Sequence, residues 1–191
     1  MKNVLFLGYK NKQTSLIRFL KKKNYKVVQH GQQILTKKIL DQNFDLIISF
    51  GYKIIIKKKL LDHLKKPIIN LHISYLPYNR GSHPNFWSFI DNTPKGVSIH
   101  EINKSIDSGK LIVRKRVIFK KLENHTFNST YKILIRGIEI LFKKNFSTII
   151  SEKYNKININ IKGTYHSKKE LPKSMISWNM KVKDYLKFYF R

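Results

Sequence analysis

The order of apolar segments predicts an α/β protein built on an open, mostly parallel β-sheet with helices on both faces. Three observations carry this. Short apolar runs at Val4–Leu7 and Asp45–Phe50 each end at a glycine, as buried strands commonly do. Stretches with helical spacing separate the runs. Strand and helix signals alternate through the first seventy residues with no repeat and no linker that would split the chain.

Val4-Leu5-Phe6-Leu7 followed by Gly8 is the profile of a buried first strand. Thr14 or Ser15 can cap a helix carrying Leu16, Ile17, Phe19 and Leu20, with lysines in its last turn. Tyr25–Val28 is the second strand. Ile34, Leu35, Ile39 and Leu40 have helical spacing, and Asp45–Gly51 is a third strand with a glycine turn. Ile54–Leu64 reads as a helix, and Lys66–Asn70 as a fourth strand entered through Pro67. Beyond it come a short aromatic helix at Pro84–Asp91, strands at Val97–His100 and Leu111–Ile118, and a long helix at Phe127–Lys144. A polar Lys- and Asn-rich stretch, a strand near Gly163–His166 and an aromatic tail complete the chain.

Composition bounds the function. The chain has 191 residues, enough for one domain with a sizeable core, and 13% aromatic content argues against disorder. No apolar run is long enough to span a bilayer, and the apolar part of the N-terminus is too short for a signal peptide, so a soluble cytoplasmic protein is expected. Without cysteine there is neither a disulfide nor a thiolate metal site, and the seven histidines lack metal-ligand spacing. The net charge of +28 suggests nucleic acid, yet lysine far outnumbers arginine and falls in runs such as Lys21–Lys23 and Lys57–Lys59, typical of solvated faces. No arginine–aromatic stripe is present, so no nucleic-acid partner is expected.

Chemistry concentrates between residues 70 and 109. Asn70-Leu71-His72 lies at a strand exit, where the sheet topology places ligands. Two apart on an extended chain, Asn70 and His72 point the same way. An amide and a protonated imidazole can hold an oxyanion, with Asp107 keeping the ring charged. Turn formation explains Asn70 and His72 equally well on spacing alone. Ser74-Tyr75-Leu76-Pro77, Arg80-Gly81, Gly96-Val97-Ser98-Ile99-His100 and Asp107-Ser108-Gly109 follow in order. One glycine after the first strand, in Gly8-Tyr9-Lys10-Asn11-Lys12, makes neither a dinucleotide fingerprint nor a P-loop.

Together these motifs resemble the folate-dependent formyltransferase family, over roughly residues 1–150. The resemblance implies a Rossmann-like formyltransferase fold for 1–150 and a short C-terminal extension, 151–191, packed on or beside it. It implies Asn70, His72 and Asp107 as the catalytic set and 10-formyltetrahydrofolate as formyl donor. Phe50, Gly51, Tyr52, Lys53, Ile54, Ile55 and Ile56 would line the pterin pocket together with Asn103, Lys104, Ser105 and Ile106. The wording Asn79-Arg80-Gly81-Ser82-His83-Pro84-Asn85-Phe86-Trp87 looks most like bacterial sugar N-formyltransferases, which act on nucleotide-linked amino sugars, as in lipopolysaccharide O-antigen biosynthesis. A methionyl-tRNA enzyme would carry a further C-terminal domain, for which 191 residues leave no room; a glycinamide ribonucleotide enzyme would have a glycine-rich phosphate loop after strand one. Candidate acceptor contacts are then Lys10, Lys12 and Arg80 for charge, Tyr9, Tyr78 and Trp87 for stacking, and Ser74, Leu76, Pro77, Gly81 and His100 around the amine. A homodimer is compatible with this reading. A folate-binding relative without turnover, or an RNA-binding module, is the competing class.

Overall fold

The computed structural model describes residues 2–159 and 161–191. Strands β1 (Asn3–Gly8), β2 (Lys26–His30), β3 (Leu46–Phe50) and β4 (Ile68–His72) are parallel, in the order β2-β1-β3-β4. The sheet is extended by β6 (Gly96–Glu101) and β7 (Leu111–Arg116), both antiparallel to their neighbours. A second, two-stranded sheet pairs β5 (Arg80–Gly81) with β8 (Tyr165–His166). The helices are α1 (Leu16–Lys22), α2 (Lys37–Leu40), α3 (Lys58–Leu61), α4 (Pro84–Ile90), α5 (Phe127–Ile150) and α6 (Val182–Tyr189).

Alternation along the strands decides which face each residue serves. Val4 and Phe6 of β1, with Ile48 of β3, pack toward α1 and α5 through Leu16, Leu20, Ile138 and Phe142. Leu5, Leu7 and Ile47 point to the other face, against Leu35, Leu40 and Phe44. Burial on both faces explains why these strands read as unbroken apolar runs. A third cluster joins Phe86, Trp87 and Phe89 of α4 to Phe127, Val182 and Tyr185, which ties the C-terminal helix to the body of the fold.

Several local expectations shift. The α1 N-terminus is capped from outside: Glu139 of α5 accepts from Ser15 N–H at 2.9 Å and from the Thr14 and Ser15 hydroxyls, each at 2.6 Å. The helix expected over Ile54–Leu64 shrinks to one turn, since three consecutive β-branched residues, Ile54–Ile56, favour extended backbone. The helix expected to stop at Lys144 runs on to Ile150, because Phe146 and Ile149 still find the core. Its start is the reciprocal cap of Thr126 and Ser129. The fourth strand reaches past Asn70 to His72, so both residues sit on the sheet itself. Among the described residues, no helix is long and apolar enough to cross a membrane.

Candidate active site

Asp107 is the hub. It follows β6 on a turn whose tightness is set by Gly109: a Cβ there would lie 1.7 Å from the Glu101 carbonyl oxygen. Asp107 itself has φ +47, a left-handed conformation that aspartate tolerates better than most residues. Its Oδ1 accepts from the Asn70 amide at 3.2 Å and its Oδ2 from the Gly81 backbone N–H at 2.9 Å. His72 Nε2 is 3.7 Å from Oδ2, and His100 Nε2 is 3.5 Å from Oδ1.

Tautomers follow from the partners. His72 Nε2 faces the Asn79 carbonyl oxygen at 3.3 Å and the Asp107 carboxylate, both acceptors only, so Nε2 carries the proton. Nδ1 is then the basic nitrogen, and it makes no hydrogen bond among the described residues. His100 Nδ1 donates to the Glu101 carbonyl at 2.8 Å, which leaves its Nε2 to accept from the Asn70 amide at 3.0 Å. Both Asn70 N–H bonds are thus engaged in this resting arrangement.

Charge follows from burial. Desolvation pushes the His72 ring below the usual histidine range, more than the nearby Asp107 raises it. Burial thus favours the neutral His72 ring and Asp107 the imidazolium, so the two act on the same proton in opposite directions. Burial works to raise Asp107, but the two imidazoles, to the extent that they carry charge, and the Gly81 N–H hold it well below the usual carboxylate range, so it is ionised. A neutral imidazole with a free Nδ1, backed at Nε2–H by a buried carboxylate, is a general base whose protonated form is stabilised as it appears.

Residues 2–133 match the family described as Formyl transferase. The chain belongs to the formyl transferase family. Over 95% of its length this formyl transferase superposes on the solved structure of the formyltransferase PseJ from Anoxybacillus kamchatkensis in complex with UDP-4,6-dideoxy-4-formamido-L-AltNAc and tetrahydrofolate, covering 96% of that chain with 39% identity and a TM-score of 0.84. It is 29% identical to a dTDP-4-amino-4,6-dideoxyglucose formyltransferase of Mycobacterium tuberculosis over 68% of this chain and 53% of the relative. It is 32% identical to a methionyl-tRNA formyltransferase of Buchnera aphidicola over 75% of this chain and 46% of the relative. The chain spans between 21% and 53% of the length of the curated relatives it matches.

The fold of this chain brings Asn70, His72 and Asp107 together. Ser74, Leu76, Trp87 and His100 are buried, as is His72. Trp87 stacks on His166, ring centroids 3.9 Å apart, so that face is not free for a base. His100 orients Asn70. Tyr9 is half-buried, edge-on to Phe50, over Gly51, and hydroxyl to hydroxyl with Tyr131, so it packs the turn rather than presenting an open ring. Pro77, Tyr78 and Arg80 are half-buried, while Lys10 and Lys12 are exposed beyond β1. The Gly81 N–H is spent on Asp107.

Of the expected donor contacts, Ile54, Ile55 and Ile56 line a cavity of about 380 Å³ with Ile34, Leu35 and Leu60, bordered by Lys37, Lys57 and Lys59. Phe50 is core, Gly51 and Tyr52 are half-buried and Lys53 is exposed. Asn103, Lys104, Ser105 and Ile106 are exposed and form no part of that cavity's wall. Two contributors had no site role assigned from the sequence. Asn79, fully buried at φ +55, supplies the carbonyl that fixes His72. Thr164 accepts the Asn79 N–H on its hydroxyl at 2.7 Å and the Arg80 N–H on its carbonyl at 3.0 Å. An asparagine before Arg-Gly, a residue type that suits left-handed turn backbone, was the available signal for the first; nothing local marks the second.

Proposed function

We propose that the chain is an N-formyltransferase that moves a formyl group from 10-formyltetrahydrofolate to the amine of a nucleotide-linked amino sugar. The observation that carries the reaction is the Asp107-centred cluster, an imidazole and an amide donor against one buried carboxylate. The acceptor class rests on the likeness to PseJ, whose bound sugar carries a formamido group, the product that formylation of a 4-amine would leave.

The donor supplies an electrophilic carbon at the formyl oxidation level. Its flat ring system and acidic tail suit the apolar walls of the Ile54–Ile56 cavity, where Ile55 is 74% exposed and three lysines stand at the border. Within the cluster an incoming amine takes Asp107 Oδ1 in place of Asn70, freeing one Asn70 N–H for the formyl oxygen as negative charge develops on it. The amine nitrogen bonds to the formyl carbon as His72 Nδ1 accepts the amine proton, directly or through water, with Asp107 stabilising the resulting imidazolium. The bond from that carbon to the donor nitrogen then breaks, and the proton held on His72 goes to that nitrogen as tetrahydrofolate leaves. Each preorganised donor of this kind is worth about 3–4 kcal/mol of barrier.

The test is an acceptor panel. The protein is incubated with 10-formyltetrahydrofolate and, separately, a UDP- or dTDP-linked 4-amino sugar, glycinamide ribonucleotide, and methionyl-tRNA, and kcat/KM is measured from products heavier by one carbonyl. The nucleotide sugar is expected to win clearly. A win for glycinamide ribonucleotide would place the chain in purine synthesis, and a win for methionyl-tRNA would give the positive surface a nucleic-acid role.

A further inference from the structure

The catalytic loop is held by a segment far away in sequence. Residues 79–82 are hydrogen-bonded along their length to 164–166: Asn79 N–H to the Thr164 hydroxyl, Arg80 N–H to the Thr164 carbonyl, and Ser82 N–H to the His166 carbonyl at 2.8 Å. The contact is close enough that a Cβ on Gly163 would lie 2.1 Å from the Pro77 carbonyl oxygen, and one on Gly81 2.3 Å from that of His166. This same loop delivers the Asn79 carbonyl to His72 and the Gly81 N–H to Asp107.

His166 anchors the segment. Its Nε2 is 2.7 Å from Asp91 Oδ2 and its Nδ1 is 3.0 Å from Glu170 Oε2. Both carboxylates can only accept, so the full arrangement needs N–H on both ring nitrogens, the doubly protonated imidazolium. The ring lies flat on Trp87, 6° from parallel, where a cation gains further from the indole face. Asp91 Oδ2 also accepts from the Asn79 amide at 3.3 Å, and Asn79 Oδ1 accepts from Thr93 at 2.6 Å. A continuous path therefore runs from Glu170 and His166 through Asp91 and Asn79 to His72. Among the described residues, the ionisable groups against the ring are Asp91, at the end of α4, and Glu170, in the turn after β8; its packed face meets Trp87, which does not titrate.

We infer that His166 is a positioning residue for the catalytic centre: as an imidazolium between Asp91 and Glu170 it fixes the 79–81 loop, and with it His72 and Asp107. The lock needs an N–H on each ring nitrogen, one for each carboxylate, and weakens when either is lost. The kinetic side of this inference rests on the formyl-transfer reading, and the structural side does not.

The experiment follows the Gly81 amide by NMR hydrogen exchange, corrected for intrinsic rate, across the titration of the His166 ring observed in the same samples. Wild-type protection at Gly81 should fall about tenfold as the ring deprotonates. His166→Gln should show the weakened value at every pH, and Asp91→Asn, which keeps the side chain's shape, should move the same way. In the transfer assay His166→Gln should lower kcat about tenfold with the donor KM within about twofold. Gly81 protection that ignores the His166 titration in the wild type overturns the inference, whatever the variants do. If the wild type formylates none of the acceptors but Gly81 tracks His166, the functional reading fails and the positioning role stands.

Discussion

Asp107 shows how much one side chain can organise. Its two oxygens face the Asn70 amide, the Gly81 N–H and two imidazoles within 3.7 Å, which no surface carboxylate would hold in place. Asn70→Ala and His72→Ala each remove one functional group from this cluster without opening the core. Both variants are expected to melt as cooperatively as the wild type while turnover falls about a hundredfold or more. Near-normal turnover in either would take that residue out of the mechanism. The pH profile is set by His72. Its pKa lies below the ordinary histidine value, so the base form persists to lower pH than in a free histidine, and activity falls only as pH drops through that depressed value. Asp107→Asn removes the group that raises the ring's pKa, so the acid limb should move to still lower pH while kcat drops by roughly a hundredfold or more. A higher KM for the amine with unchanged kcat would make Asp107 a binding residue instead.

Among the elements, the turn between β6 and β7 is the one that delivers the Asp107 carboxylate to the cluster. Gly109 lies against the Glu101 carbonyl so closely that alanine cannot enter without moving backbone, and Asp107 lies two residues upstream. Gly109→Ala should destabilise the protein by about 1–3 kcal/mol, read from the urea midpoint at unchanged slope. Turnover should fall further than the small change in folded fraction explains, because the carboxylate is displaced. An unaltered urea midpoint would show that the turn relaxes freely. The short helices make the opposite point. At four residues each, α2 and α3 are marginal on their own and are held by Leu35, Leu40, Leu60 and Leu61 against the sheet.

For the whole molecule the governing quantity is charge. With 39 Lys and Arg against 11 Asp and Glu, the folded state concentrates like charges. Among the described residues the lysine–carboxylate pairs are Lys66–Glu152 and Lys156–Glu101, both partly exposed and each a small contribution. Added salt shortens the screening length from about 30 Å at 0.01 M to about 8 Å at 0.15 M. The melting temperature should therefore rise by a few degrees with sodium chloride over that range. A fall would mean that specific ion pairs outweigh the repulsion. The same field would draw an anionic nucleotide toward the crevice, so the KM for the acceptor should be the salt-sensitive kinetic constant.

How far the sequence reached differs between fold and site. Alternating apolar runs determined the parallel sheet, because burial on both faces demands continuous hydrophobic strands, a local property of the chain. Asn70 and His72 were legible as a same-facing pair because strand period gives them one direction, but spacing left turn formation equally open, and their grouping with Asp107 came from the resemblance to the formyltransferase family. Spacing could not say that burial pushes the His72 ring toward its neutral form, since that depends on how completely neighbours exclude water. Nor could it say that His100 serves Asn70, or that Trp87 is covered by His166. The long-range tie between residues 79–82 and 164–166 was also beyond it. Pairing partners separated by more than eighty residues leave no periodic trace in either segment, and only packing around Gly163 and Gly81 decides that they meet.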